Sequence, residues 1–534
     1  MNQRLRAICD LCAGSVREYS GRHEYDGRIE DLSPDGVRAA LARLGGPPEG
    51  SGEPQGGAPV DREPDPLDDA HLAAFERLLQ LELGELELHR ANPLYHIGAL
   101  DVSCYDREYA PAEERAEARR RHLAAWPDAV DTAVAALDRV AAPVAEALLG
   151  PAKGLTADLE PEGSGEPRRG SPVDRGRGDP VVERAVAAHK RLVAHLEAAA
   201  VEGPPEVALG RRSLERLLGT GEALEVDLGR LEERADAERD RLRALLDEAC
   251  GRLAPGRPTA EVVAGLLEDH PDAGGVLREA QAMTAEAIAF TLERDLVPGL
   301  DGECLVAPAP PSRRWALAMM SWAAPFEADA PSRYYISPPD PDWPADEQDD
   351  WLKVFSRTTL PAITVHEVAP GHFAHGRRLR TVTSDVRRTL HSLAFVEGWA
   401  HYGEEVCVEE GFRAQDPRFA AGVALEALQR VTRLATSIGT HAGTMTVAEG
   451  AARFEADAFC FGPAARAESA RATFDPTYGR YTWGKLEIQR LRDQARARWG
   501  AGFTPARFHD ALLALGSPPL GLMAAVLDEA QGLA

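Results

Sequence analysis

Aromatic side chains are scarce in this sequence, and so are runs of β-branched residues. Phe, Trp and Tyr make up 6% of the 534 residues, while Ala, Leu, Glu and Arg recur throughout. These four residue types are strong helix formers, whereas sheet proteins depend on β-branched and aromatic residues. The composition therefore predicts an all-α protein with a large multi-helix fold and little β-structure.

Cysteine and long apolar runs are equally rare. Seven cysteines, an odd number scattered over 534 residues, do not form a disulfide framework and favour a reducing compartment. No segment approaches the roughly 18 apolar residues of a membrane span, and no apolar signal region follows Met1. We therefore expect a cytoplasmic protein with no membrane association.

Basic residues are outnumbered by acidic ones. The sequence has 60 Lys and Arg against 86 Asp and Glu, a formal net charge of −26. Binding of nucleic acid requires a concentration of positive charge, which this acidic chain does not show. We expect a small-molecule or short-peptide substrate rather than a nucleic acid, and the charge pattern indicates no particular oligomeric state.

Two segments rich in Gly and Pro interrupt the first half of the chain. Residues 48–62 and 161–175 match at twelve of fifteen positions, but the apolar patterns that flank them do not match. This combination indicates a duplicated linker rather than a duplicated domain. We therefore predict a helical N-terminal region over 1–300, with flexible linkers near 46–66 and 158–180, and a second helical region over 301–534.

Apolar residues at three-to-four spacing predict the helices of the N-terminal region, which cover 68–93, 112–149, 181–201, 212–252 and 259–294. Residues 301–350 are instead rich in proline and aromatic residues, and they contain one short strand signal at 333–337. Long loop insertions of this kind are often functional. The helical pattern resumes near residue 351.

The strongest functional signal is the pair His366-Glu367 followed by His372. Imidazole and carboxylate groups suit Zn²⁺, and a neighbouring Glu can take a proton from the attacking water. On a straight helix, residues six apart lie about 120° apart around the axis, so these two histidines could not share an ion. A bulge at the intervening Pro-Gly dipeptide would bring them together. The alternative pair, His372 and His375, needs no distortion but leaves Glu367 farther away.

A third ligand would come from a separate helix. Glu397 lies in the apolar sequence Phe-Val-Glu-Gly-Trp, where an unpaired carboxylate is costly to bury. The next acidic residues, including Glu404, are expected on a solvated helix face. Whether His375 or His401 joins the site stays open at this point.

The two motifs together resemble a known family. His-Glu-x-x-Pro-Gly-His followed by Phe-Val-Glu-Gly-Trp-Ala-x-Tyr is similar to the bacterial family called domain of unknown function 885, which is regarded as an all-helical relative of zinc-dependent metallopeptidases. Residues 300–534 carry the resemblance, so the region over 301–534 is expected to be the helical catalytic region that carries the metal site. The resemblance implies a metallopeptidase-like fold with three metal ligands and one general base, which are His366, His372, Glu397 and Glu367.

The same resemblance implies roles for five further residues. By their positions, Tyr481 and His441 are candidate catalytic residues that would stabilise the developing oxyanion. Arg471 and Arg492 are candidates to bind a substrate carboxylate. Tyr335, in another similar segment, is a candidate substrate contact.

Together these observations predict a zinc-dependent, metallopeptidase-like hydrolase. It would cleave an amide or peptide bond of a small soluble substrate with metal-activated water and Glu367 as general base. One Zn²⁺ ion is expected, and another divalent transition metal stays open. One alternative is a metalloenzyme of the same scaffold with non-peptidase chemistry on a specialised metabolite. The other is a catalytically silent helical binding protein that keeps the metal for structure. A fourth protein ligand, such as His375 or His401, would then complete the coordination of the metal.

Overall fold

The computed structural model describes residues 1–45, 65–157, 159, 178–328 and 330–529. Helices form most of this part of the chain, which confirms the predicted all-α fold class. The two predicted linkers near 46–66 and 158–180 fall largely outside the described residues.

The first 300 residues contain helices that vary from 7 to 26 residues in length. Their bounds are α1 (Gln3–Leu11), α2 (Ala13–Ser20), α3 (Pro34–Leu41), α4 (Pro66–Leu79), α5 (Leu94–Leu100), α6 (Ala112–Ala136), α7 (Ala142–Gly154), α8 (Pro180–Glu202), α9 (Arg211–Thr220), α10 (Leu228–Leu253), α11 (Thr259–Leu267) and α12 (Ala273–Glu293).

Three of the predicted helical segments each contain two helices, namely α6 with α7, α9 with α10, and α11 with α12. The breaks coincide with residues that disfavour continuation. Pro143 and Pro271 lack the backbone N–H that a helix interior needs and restrict the residue before them. Gly219 and Gly221 lie at the end of α9. The predicted helix over 68–93 also ends early, because α4 passes into a π-helical turn over Gln80–Glu85.

A small sheet occupies the loop insertion after α12. Its strands are β1 (Cys304–Pro308), β2 (Ala318–Ser321) and β3 (Ser332–Ile336), in the order β1-β3-β2. β3 is parallel to β1 and antiparallel to β2. The strand predicted at 333–337 is confirmed as β3, while β1 and β2 were not predicted because their short sequences show no clear polar alternation.

Helices continue from residue 345 to 529. Their bounds are α13 (Ala345–Lys353), α14 (Leu360–Glu367), α15 (His372–Leu379), α16 (Asp385–Thr389), α17 (Leu393–Glu409), α18 (Pro417–His441), α19 (Val447–Ala458), α20 (Gly462–Phe474), α21 (Arg480–Trp499), α22 (Pro505–Ala514) and α23 (Val526–Glu529). None of the described helices is both long enough and apolar enough to cross a membrane.

The largest hydrophobic core is shared by helices on both sides of residue 300. It runs from Leu214 to Val526, and α10 packs along α18 within it. A second core lies mainly among α6, α7 and α8. The largest core contains residues from both sides of residue 300. The predicted division of the chain at that position stays a prediction.

Helices α17 and α21 approach each other unusually closely. A Cβ added at Gly398 would lie 2.5 Å from the carbonyl carbon of Gly484, and one added at Gly484 would overlap the carbonyl oxygen of Ala394. Two glycines therefore permit this contact. Because α17 carries Glu397 and α21 carries Tyr481, the contact positions these two side chains relative to each other.

Candidate metal centre

A break between α14 and α15 brings two histidines together. α14 ends at Glu367, Pro370 follows a cis peptide bond, and α15 begins at His372. A Cβ at Gly371 would overlap the carbonyl oxygen of His366, so the chain can pass this point only with glycine. The two imidazole centroids lie 4.8 Å apart at an angle of 84°. The chain therefore has a junction between two helices at the Pro-Gly dipeptide, where a bulge within one helix was expected.

Glu397 from α17 completes a convergent group of donor atoms. Its Oε2 lies 3.5 Å from Nε2 of His366 and 3.3 Å from Nε2 of His372. Donor atoms at about 2.0–2.1 Å from a tetrahedral ion lie roughly 3.3–3.4 Å from one another. The spacing of these atoms therefore fits three ligands around one small cation. Glu367 lies in the same group, with a ligand atom within 4.8 Å of those of both histidines.

A buried carboxylate behind His366 orients its ring. Nδ1 of His366 lies 2.6 Å from Oε1 of Glu404, so Nδ1–H donates to this carboxylate and Nε2 is left to face Glu397. Glu404 also lies 3.3 Å from Nδ1 of His401 and 3.3 Å from Arg430. Such carboxylate–histidine pairs are the usual support of metal-binding imidazoles.

The expectation that Glu404 lies on a solvated helix face is wrong, because its side chain is fully buried. A signal for this was present in the sequence. Glu397, His401 and Glu404 have the spacing i, i+4 and i+7, which places them on one face of α17. His401 binds Glu404 from behind and does not join the convergent donor atoms.

Burial and charge act differently on the ionisable groups of this centre. Burial alone would lower the pKa of His366, but Glu397 and Glu404 outweigh burial and raise it. Burial alone would raise the pKa of Glu397, but His372 and His366 hold it well below its usual value. Burial raises the pKa of Glu367, whose Oε2 has no hydrogen-bond partner among the described residues. Glu367 thus keeps a buried oxygen that no described residue engages.

Of the two predicted oxyanion donors, the structure places one at the centre. The ring of Tyr481 stacks beside His366 with centroids 6.3 Å apart, and its hydroxyl accepts a hydrogen bond from Arg471 at 3.2 Å. His441 is not brought to this group. Its Nε2 donates to the carbonyl oxygen of Ala472 at 2.8 Å, in a contact between α18 and α20.

Three other candidates also lie away from the site. Arg492 pairs with Glu409 at 2.8 Å, about three turns along α21 from Tyr481, and does not line the cavity. Tyr335 lies on the central strand β3 rather than on β2, which lines the cavity. His375 lies with its Nε2 3.1 Å from Oγ of Ser517, and burial lowers the pKa of this histidine to about 3. The alternative ligand pair of His372 and His375 is therefore not formed.

The donor group lies in the wall of a cavity of about 410 Å³. Helices from both halves of the chain line it, including α1, α2, α4 and α9 from the N-terminal region. More of the lining is apolar than polar. Tyr19 and Leu393 line it and stay 42% and 49% exposed, so apolar groups also reach the solvent here. A cavity of this size and character suits a small ligand. The sequence did not indicate that α1, α2 and α9 would contribute to it.

Comparisons with known proteins agree with this architecture. The family model of bacterial proteins of unknown function, DUF885, matches residues 16–527. A solved structure from Shewanella oneidensis is 19% identical, covers 98% of both chains and has a TM-score of 0.71. Another from Colwellia psychrerythraea is 18% identical, covers 99% of this chain and 98% of its own, and has a TM-score of 0.74. Both of those proteins are described as candidate lipoproteins, the first expressly of unknown function, so the likeness shows the fold alone. No curated protein matches the sequence significantly.

Proposed function

This chain belongs to the bacterial DUF885 family, and we propose that it is a metal-dependent hydrolase that cleaves an amide or peptide bond of a small soluble substrate. One observation carries the proposal. Two imidazoles and one carboxylate converge in a cavity wall, and a second carboxylate beside them keeps an oxygen without a partner among the described residues. Three protein ligands with an open fourth position are typical of catalytic zinc, whereas structural zinc is closed by four.

The donor set supports a single zinc ion held by Nε2 of His366, Nε2 of His372 and Oε2 of Glu397. The two histidines that could close the site with a fourth ligand are engaged elsewhere. His375 faces Ser517, and His401 pairs with Glu404. This arrangement favours a catalytic metal over a structural one.

The side chains around the centre have separate tasks in such a reaction. A bound divalent cation would polarise the scissile carbonyl and acidify a water molecule. Oε2 of Glu367 takes the proton of the attacking water and passes it to the departing amine nitrogen. Glu404 holds His366 in one tautomer and one orientation. The hydroxyl of Tyr481, held by Arg471, is the proposed donor for the developing oxyanion.

The metal content of purified protein tests this proposal. We expect near-stoichiometric zinc in the wild type and in Glu367→Gln, and strongly reduced zinc in His366→Ala and His372→Ala. His195→Ala is a matched control, because this histidine binds the carbonyl of Leu137 and does not line the cavity.

Hydrolysis of a panel of acylated short peptides gives the second measurement. Glu367→Gln should bind metal but lose turnover, since only the proton acceptor is removed. A wild-type protein that takes up no divalent metal after reconstitution would refute the proposal. Equal metal loss in the His195→Ala control would show that the histidine variants report general instability instead.

A further inference from the structure

Three arginines from three different helices line the cavity beside Tyr481. Arg433 of α18 pairs with Glu468 through two contacts of 2.7 Å. Arg471 of α20 and Arg480 of α21 share a single carboxylate, Asp475, which is 3.2 Å from Arg471. Three guanidinium groups are therefore neutralised at ion-pair distance by only two carboxylates.

Each of the three arginines keeps one nitrogen for another partner. The hydrogen bonds of all three use Nε and Nη2, and no Nη1 of the cluster donates to a described residue. Arg433, Arg471 and Arg480 are 8%, 7% and 8% exposed, so little bulk water reaches them. Charged donors in such a place are costly unless an acceptor meets them. A ligand in the cavity can supply that acceptor.

Aromatic rings hold the cluster rigidly next to the metal centre. The guanidinium of Arg471 lies 4.4 Å from the ring centroid of Tyr478, and that of Arg433 lies 4.8 Å from the centroid of Tyr481. The ring of Tyr481 also lies beside that of His366, with centroids 6.3 Å apart. The cluster and one of the proposed metal ligands thus contact the same tyrosine, so one small substrate can contact both.

Three further carboxyl groups of the cavity lining interact with the charge of this cluster. Glu82 and Glu222 are influenced by Arg480, and Glu426 by Arg433, but none of them makes an ion pair with the cluster within the described residues. Burial raises the pKa of Glu82 and of Glu222 to about 7, and Glu426 pairs with Arg430 instead. Below about pH 7 Glu82 and Glu222 are mostly uncharged, and the excess positive charge of the three arginines remains.

We propose that Arg433, Arg471 and Arg480 bind the free carboxylate of the substrate, which makes the substrates N-acylated amino acids or short peptides with a free C-terminus. The inference rests on the proposed hydrolase function. Guanidinium groups match a planar carboxylate, with two oxygens to accept hydrogen bonds. In the reaction the oxygen of water adds to the scissile carbonyl carbon and the C–N bond breaks. The nitrogen takes the proton, so the carboxylate-bearing product leaves as a free amine.

Binding without turnover tests this directly. We would use metal-loaded Glu367→Gln and measure by calorimetry the affinity for N-acetyldileucine as the free acid and as the C-terminal carboxamide. An apolar probe suits the largely apolar cavity. We expect the free acid to bind at least about tenfold more tightly, because hydrogen bonds to charged groups are the strong ones.

Arg471→Gln in the same background should abolish this preference, since it removes the excess charge. Arg115→Gln is the matched control. Arg115 is also a buried arginine, but it donates to the carbonyl oxygens of Tyr105 and Ala110 and does not line the cavity. The control should keep the preference, and circular dichroism of both variants would report their folding.

The outcomes separate this inference from the hydrolase proposal. Equal affinity for the acid and the carboxamide, or no measurable binding of either, would overturn the inference whatever the wild type hydrolyses. A preference that survives Arg471→Gln would overturn it as well. A retained preference for the acid in a wild-type protein with no hydrolytic activity would support carboxylate binding and refute the hydrolase.

Discussion

Replacement of Gly398 by alanine tests how the packing of α17 against α21 supports the metal centre. A Cβ at this position would lie 2.5 Å from the carbonyl carbon of Gly484 and 2.8 Å from the backbone nitrogen of Lys485. Backbone atoms cannot rotate away as a flexible side chain can. The two helices must therefore move apart.

The required movement can be worked from these distances. Ordinary contacts of a Cβ begin at 3.4 Å, so the helices would separate by about 0.9 Å at this point. Overpacking of this kind typically costs about 1–3 kcal/mol. Alanine recovers about 1 kcal/mol of helix propensity, which leaves a net loss of up to about 2 kcal/mol in the free energy of unfolding. The shift also displaces Glu397, which directly precedes Gly398 in α17, from the two histidines.

Two measurements on Gly398→Ala check this reasoning. We expect a lower midpoint of urea denaturation in metal-free protein, and weaker zinc binding in competition with a chromophoric chelator. Gly251→Ala is the control, because Gly251 lies in α10 with nothing within 4 Å of the added Cβ. That variant should gain about 0.4–1 kcal/mol in stability. If Gly398→Ala were as stable as the control and bound zinc normally, the close helix contact would be refuted.

Three further predictions concern single side chains. Glu404→Gln should weaken zinc binding about 10- to 100-fold with the fold retained, because the neutral amide supports His366 less well. Competition with a chelator measures the zinc affinity, and an unchanged affinity would contradict the role of Glu404. Gly371→Ala should abolish metal binding, because the added Cβ would overlap the carbonyl oxygen of His366. A normal zinc content in this variant would contradict the described junction between α14 and α15. Burial raises the pKa of Glu222 to about 7, so the stability it contributes in the protonated form is lost as the pH rises through that value. Between pH 6 and 8.5 the wild type should therefore lose about 1.4 kcal/mol relative to Glu222→Gln. Urea denaturation at both pH values measures this difference, and a constant difference would refute it.

Features that depend on near neighbours in the chain could be predicted from the sequence. Helix-forming composition predicted the fold class, and the short spacing of apolar residues predicted where helices lie, although helix breaks at Pro143 and Pro271 were missed. The strand at 333–337 was also found. The neighbours His366 and Glu367, with His372 after a Pro-Gly dipeptide, indicated a group that the structure brings together. All of these signals are carried by residues within two or three helical turns.

Features that depend on contacts between distant segments needed the tertiary structure. Glu404 and Glu405 look alike in the sequence, yet Glu404 is buried against His366 whereas Glu405 pairs with Lys485. Arg492 was expected near the substrate, but the structure places it elsewhere.

By itself, the sequence determined the helical class of this protein, its family, and the residues around which a metal site could form. Only the tertiary structure decided that Glu397 reaches both histidines, that Arg433 and Arg480 join Arg471, and that N-terminal helices enclose the cavity. The physical reason is that local periodicity records which face of a helix is buried. It does not record which other helix that face meets, because this choice depends on the packing of the whole chain.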